Sequence, residues 1–178
     1  MSTVSFFENV FQEDFCRFLL RDCVETIRSG RETWRSNLTW DPAVVRASSP
    51  VLVRTCSDLL KNSILDQLLS AKVIRHKEYL VMNYAGTKLS YIPWHSDKVY
   101  ADALTVYLNE TWHRDWGGIY LFSDEETATI RGYIPKFNSA VKNDAHTLHS
   151  TTIVAPDAEI PRITLQLFSS EKQLKTQQ

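Results

Sequence analysis

The residues best suited to chemistry lie between Ser90 and Asp102, and within them in Tyr91-Ile92-Pro93-Trp94-His95-Ser96-Asp97. In an extended strand, successive side chains point to opposite faces. His95 and Asp97 then share a face, about 6.6 Å apart by strand rise, while Ser96 points away. An imidazole and a carboxylate so placed supply two of the three ligands of a 2-His-1-carboxylate facial triad. That triad leaves open positions on a non-haem Fe(II).

A third ligand is available at His149, in the strand-like run Leu148-His149-Ser150-Thr151-Thr152-Ile153-Val154. The rival is His146, three residues earlier; an odd separation keeps both from facing inward from one regular strand. His149 is preferred because β-formers flank it, whereas His146 follows the turn-like Asn143-Asp144-Ala145. His76 and His113 have no such company. Arg162, after Pro161, opens the strand Ile163-Thr164-Leu165-Gln166-Leu167-Phe168. A guanidinium there could take a carboxylate bidentately and stay charged when half buried.

These groups need a scaffold that brings distant strands together. Phe11, Phe15, Leu19, Cys23 and Ile27 recur at helical spacing, so a helix is expected over 11–29, stopped by Gly30. Ser57 or Asp58 caps a second helix over about 58–70. Val51-Leu52-Val53 reads as a strand between them. From residue 73 the pattern changes to short β-branched or aromatic runs: 73–74, 79–84, 105–108, 119–122, 127–130, 140–141, 150–154 and 163–168. Turn residues such as Gly86, Gly117-Gly118 and Asn143-Asp144 separate them. Gly117-Gly118 reads first as a hairpin turn. Many short strands after two helices suggest a jelly roll with helices buttressing one sheet. One domain over 1–178 is expected, with 1–72 as helical support and substrate-side elements and 73–170 as the β core. Trp34 and Trp40 are candidate core or lid aromatics, and the polar tail 171–178 is expected to fray.

Composition narrows the class. The 178 residues are 43% hydrophobic and 11% aromatic, which fits an ordered enzyme or binding module. A net charge of −1 gives no reason to expect a nucleic-acid partner. The apolar runs are too short for a membrane span, and the first residues lack a cationic leader. Cys16, Cys23 and Cys56 are an odd set without metal-site spacing, read as reduced thiols in a cytoplasmic protein.

Taken together, Tyr84-Ala85-Gly86, His95-Ser96-Asp97, Leu104 to Asn109, Trp116 to Leu121, Leu148-His149-Ser150 and Pro161 to Thr164 resemble the Fe(II)- and 2-oxoglutarate-dependent dioxygenases, closest to the prolyl-hydroxylase-like branch. The resemblance implies a mainly β chain whose core is a double-stranded β-helix, the jelly roll of cupin-like proteins, behind N-terminal helices. It implies that His95, Asp97 and His149 hold Fe(II), and that Arg162 pairs with the distal carboxylate of 2-oxoglutarate. Tyr84 and Tyr107 match co-substrate-contacting tyrosines, Thr164 is a further candidate for the same carboxylate, and Tyr120 would line that pocket. The fourth residue after Arg162 is Gln166. Asp97 stands where related halogenases leave room for chloride, which favours hydroxylation.

The implied reaction uses O2 and releases succinate and CO2 while hydroxylating an unactivated C–H of an amino acid, a peptidyl residue or a small natural product. Ascorbate is an expected supporting reductant. Desaturation, cyclisation or epoxidation would use the same cofactors. A cupin-like binding module without turnover is the alternative from another class. Tyr91, Trp94, Lys98, Tyr100 and Trp116 are the substrate-side candidates, for a small-molecule or peptide substrate.

Overall fold

The computed structural model describes residues 4–30, 34–37, 51–124 and 127–169. Trp40 and the tail 171–178 lie outside them.

Helix α1 (Glu13–Ser29) buries Cys16, Leu19 and Cys23 on one stripe. Glu13 and Asp14 sit in its first turn, where the dipole favours anions. Gly30 ends it in the left-handed conformation, its N–H donating to Thr26 O at 3.2 Å. Helix α2 (Asp58–Ser70) is capped by Ser57, whose hydroxyl accepts from the Leu60 amide at 3.4 Å. It buries Ile64, Leu65 and Leu68.

The strands are β1 (Val4–Glu8), β2 (Arg35–Asn37), β3 (Val51–Thr55), β4 (Tyr79–Gly86), β5 (Ile92–His95) and β6 (Asp102–Tyr107). They continue with β7 (Tyr120–Asp124), β8 (Thr129–Tyr133), β9 (Ser139–Asp144), β10 (His149–Thr151) and β11 (Arg162–Ser169). They form a seven-stranded sheet in the order β1-β9-β6-β11-β4-β3-β2 and a four-stranded sheet in the order β5-β10-β7-β8. All the strand pairs are antiparallel. The fold is mainly β, with a jelly-roll core behind two helices.

The period-2 alternation of β4, β6 and β11 divides the large sheet into two faces. One carries Val81, Ala85, Leu104, Val106, Ile163, Leu165 and Leu167 into a single core with the buried stripes of both helices. The other faces the small sheet and carries Tyr84, Thr105, Arg162, Gln166 and Phe168. All eight residues of β11 are buried, because it lies between β6 and β4 with a layer on each face.

Residues 1–72 supply more than helices. They also contribute β1 at one end of the large sheet and β3 with β2 at the other. β1 escapes a period-2 reading because both its faces are apolar. Phe7 packs on the helix-side core, while Phe6 stacks on Tyr133 at 5.0 Å. Arg54 on β3 forms an ion pair with Asp22 of α1 and lies 5.2 Å above the Trp34 ring, tying β3 to that helix. Val73 and Ile74, expected as a strand, instead close α2: both amides donate to Leu68 O, at 3.0 and 3.5 Å. Their burial comes from the core, and their amides are consumed by the helix end.

Candidate active site

Strand β5 ends at His95, and Asp97 stands in the turn that follows, where its carbonyl accepts from the Tyr100 amide at 2.9 Å. Pro93 is tolerated because β5 is an edge strand. His149 opens β10 directly opposite His95, so the two rings meet with centroids 4.2 Å apart. Nε2 of His95 lies 3.9 Å from Oδ1 of Asp97, and Nε2 of His149 lies 3.5 Å from Oδ2. One ligand atom from each of the three residues falls within 4.8 Å of the other two.

The tautomers follow from the outer shell. A backbone carbonyl only accepts, so Nδ1 of His95 carries the proton it donates to Pro93 O at 2.8 Å. His149 likewise donates from Nδ1 to Thr147 O at 2.9 Å. Both Nε2 lone pairs are thereby directed at the shared space, as metal ligation requires. Burial, reinforced by His95 and opposed by Asp97, lowers the pKa of His149 and favours the neutral ring. Tyr120 stacks on that ring at 5.4 Å and is itself held by its hydroxyl, which donates to Asn143 Oδ1 at 3.1 Å.

One narrow pocket runs from this triad to Arg162, with Tyr84, Tyr120 and Gln166 among its walls. Arg162 is 4% exposed, and its Nε and Nη2 find no hydrogen-bond partner among the described residues. Its guanidinium sits 5.2 Å above the Tyr107 ring. Burial depresses the arginine pKa, with Tyr107 opposing; burial also pushes the Tyr107 hydroxyl up to about 12, with Arg162 opposing. A buried charge lacking its counter-ion is costly, so the pocket is built for an anion at this end. The donor set at the other end, two imidazoles and a carboxylate, suits a divalent iron.

Two features seat Arg162. Asn109 clamps the start of β11: its Oδ1 accepts from the Ile163 amide at 2.7 Å and its Nδ2 donates to Pro161 O at 2.9 Å. Gly118 passes so close that a Cβ there would lie 2.6 Å from Arg162 Cδ. Gly117 would collide with Ile153 O at 2.0 Å. The glycine pair, both at positive φ, does not join two paired strands as a hairpin turn would: it lies between the helical turn Arg114–Trp116 and β7. It carries the backbone between β10 and Arg162, with Gly117 bridging Val154.

Among the other candidates, Tyr84 lines the pocket, and burial raises its pKa above the usual phenol range. Thr164 is fully buried and accepts from Gln166 Nε2 at 3.1 Å. Lys98 and Tyr100 line an outer cleft that shares His95, Asp97 and Phe168 with the pocket. Tyr91 borders a second, smaller pocket that also reaches Arg162. Trp94 is 40% exposed and lines neither the pocket nor the outer cleft. Trp116 packs edge-on against Trp112 and His113, again away from both. His146 is exposed, its amide bound by the Asp144 carboxylate at 2.8 Å, and His76 stacks on Tyr79.

Sequence reasoning assigned no site role to Thr105, read only as part of a strand, or to Asn143, read as a turn residue although it lies within β9. Thr105 donates to Gln166 Oε1 at 2.8 Å, extending a polar chain along the pocket wall. Polar side chains at inward positions of otherwise apolar strands are the signal that marks them.

No family model and no curated protein matches the chain. Solved structures do. A Trichoplax adhaerens prolyl hydroxylase, solved with a hypoxia-inducible-factor peptide fragment, superimposes with TM-score 0.74 at 16% identity, over 95% of this chain and 84% of that one. A Pseudomonas putida prolyl-4-hydroxylase gives 0.71 at 13%, over 93% and 91%. The fold is that of the 2-oxoglutarate–Fe(II) oxygenases. The same oxygenase fold serves the nogalamycin-pathway epimerase SnoN, similar at TM-score 0.64 and 11% identity over 93% of this chain and 76% of that one.

Proposed function

We propose that the chain is an Fe(II)- and 2-oxoglutarate-dependent oxygenase that hydroxylates an unactivated C–H bond. The observation that carries this reading is a single pocket with two Nε2 atoms and a carboxylate converging at one end and, at the other, a buried guanidinium whose Nε and Nη2 have no hydrogen-bond partner among the described residues. His95, Asp97 and His149 would hold iron, and Arg162 would receive the distal carboxylate of 2-oxoglutarate. When bound, iron and co-substrate supply dioxygen activation, with loss of CO2 and formation of succinate.

The chain's own part is orientation and exclusion of water. The Pro93 and Thr147 carbonyls keep both imidazole N–H groups away from the metal side. Tyr107 supports the guanidinium face, and Tyr84 and Tyr120 close the pocket walls. Asp97 fills the position that a halide would need, which supports oxygen transfer as the outcome.

The test is succinate formation with Fe(II), 2-oxoglutarate, O2 and ascorbate, together with thermal stabilisation by Mn(II) plus 2-oxoglutarate. A protein that gains no stability from that pair, or keeps the gain after Arg162→Ala, overturns the reading. Epimerisation or cyclisation is the second reading, because relatives in fold include an epimerase and a carbocyclase. Product analysis separates the two: a mass gain of one oxygen marks hydroxylation.

A further inference from the structure

The two imidazoles of the metal group are oriented alike but held differently. Each donates its Nδ1 proton to the carbonyl two residues earlier, His95 to Pro93 O at 2.8 Å and His149 to Thr147 O at 2.9 Å. Pro93 has its φ set by its own ring and lies within β5. Thr147 has no ring and lies outside any strand, in the link 145–148 between the last residue of β9 and the first of β10. That link joins the large sheet to the small one.

One carboxylate oxygen clamps the link. Asp144 Oδ1 accepts from the His146 amide at 2.8 Å, the Thr147 amide at 2.9 Å and the Thr147 hydroxyl at 3.1 Å. The Thr147 amide also donates to Asp144 O at 3.3 Å, closing the turn. An aspartate that receives the amides two and three residues ahead fixes a turn from its first residue. Thr147 is fully buried, so bulk water does not compete for these bonds. Asp144 is itself anchored, paired with Asp102 of β6 and receiving Asn143 Nδ2 at its carbonyl at 3.1 Å. Asn143 also accepts from the hydroxyl of Tyr120, whose ring stacks on His149. The end of β9 thus reaches His149 from two sides.

The clamp matters because the ring of His149 has two places for its proton. A neutral imidazole carries one N–H. Asp97 Oδ2, 3.5 Å from Nε2, competes for it on the metal side, while Thr147 O takes it at Nδ1. A proton on Nε2 occupies the lone pair that a metal needs. Resting on the oxygenase reading, we infer that Asp144 is a positioning residue of the metal group: by fixing the Thr147 carbonyl it keeps the His149 proton on Nδ1 and leaves the Nε2 lone pair for the metal. Asp144 acts from a distance, since it does not line the pocket.

The experiment uses the full chain, labelled with 15N and free of metal at neutral pH. Imidazole proton–nitrogen spectra give the tautomer of each histidine, and titration with Mn(II) followed by the resonance of the unbound ion gives affinity. Asp144→Ala is expected to move the His149 proton from Nδ1 towards Nε2 and to weaken Mn(II) binding about ten-fold. The His95 tautomer, set by Pro93, is expected to stay as it is. Asp144→Asn keeps an acceptor at Oδ1 and is expected to restore both readouts, which a role for the charge alone would not allow. Thr147→Val removes the hydroxyl bond only and is expected to give a smaller shift in the same direction. An unchanged His149 tautomer or Mn(II) affinity in Asp144→Ala, or in Thr147→Val where the alanine variant does not fold, overturns the inference. So does an equal shift at His95, or an Asp144→Asn variant as impaired as Asp144→Ala. The tautomer measurement needs neither iron nor 2-oxoglutarate, so its failure is distinct from failure of the oxygenase reading, which shows as a wild-type protein that Mn(II) plus 2-oxoglutarate does not stabilise.

Discussion

Strand β11 presents two faces that are equally buried and opposite in character. Ile163, Leu165 and Leu167 enter a core shared with both helices, each fully enclosed by apolar neighbours. Arg162, Thr164, Gln166 and Phe168 alternate with them and point at the pocket side, where a guanidinium lacks a hydrogen-bond partner for two of its nitrogens among the described residues. The first face is satisfied by its apolar neighbours; the second keeps two polar atoms without a partner among the described residues, which the proposed co-substrate would fill. Burial therefore does not separate structure from function in this strand, but satisfaction does.

The sharpest way to break the comparison is at the metal group. Asp97→Ala is expected to bring 2-oxoglutarate turnover down to background and to abolish Mn(II)-dependent stabilisation, with the melting temperature of the metal-free protein little changed. Succinate assay and calorimetry check this. Next in size, Leu165→Ala on the core face should cost about 2–5 kcal/mol through lost burial and a cavity, read as a lower denaturation midpoint. That loss should be the same with and without Mn(II) and 2-oxoglutarate.

Arg162→Leu tests the opposite face of the same strand. Removing an uncompensated charge from an enclosed site should leave the metal-free protein as stable, or more stable by about 1–2 kcal/mol, while the gain from 2-oxoglutarate disappears. Asn109→Ala should fall between the two behaviours. It leaves the Ile163 amide unpaired at a cost of about 1–3 kcal/mol and also weakens 2-oxoglutarate binding, because it frees the segment that aims Arg162. The smallest effect is expected from Thr105→Val. It removes the donor to Gln166 Oε1 and should cost about 1 kcal/mol, with a modest rise in the 2-oxoglutarate concentration needed for half-maximal rate.

Much of this was legible before any coordinates. His95 and Asp97 announce themselves by strand spacing, His149 by its β-forming neighbours, and both helices by periodicity and end signals. The strand reading, however, places Asp97 in β5, whereas the strand stops at His95 and a turn delivers the carboxylate. β1 was invisible because its partner, β9, lies far along the chain and both its faces are apolar. Gly117-Gly118 carried the right residues for a turn, but their purpose is set by Ile153 and Arg162, neither of which is near in sequence. The polar chain from Thr105 through Gln166 to Thr164 likewise exists only once β6 and β11 pair. What escapes a linear reading here is register between remote strands.

The seat left by Gly118 has a practical consequence. Because a single added methyl there would press on the arginine stem, Gly118→Ala is expected to displace Arg162 without replacing any side chain proposed to meet iron, co-substrate or substrate. Such a variant would serve as a silenced control in cells: metal-loaded, with an intact outer surface, yet deaf to 2-oxoglutarate.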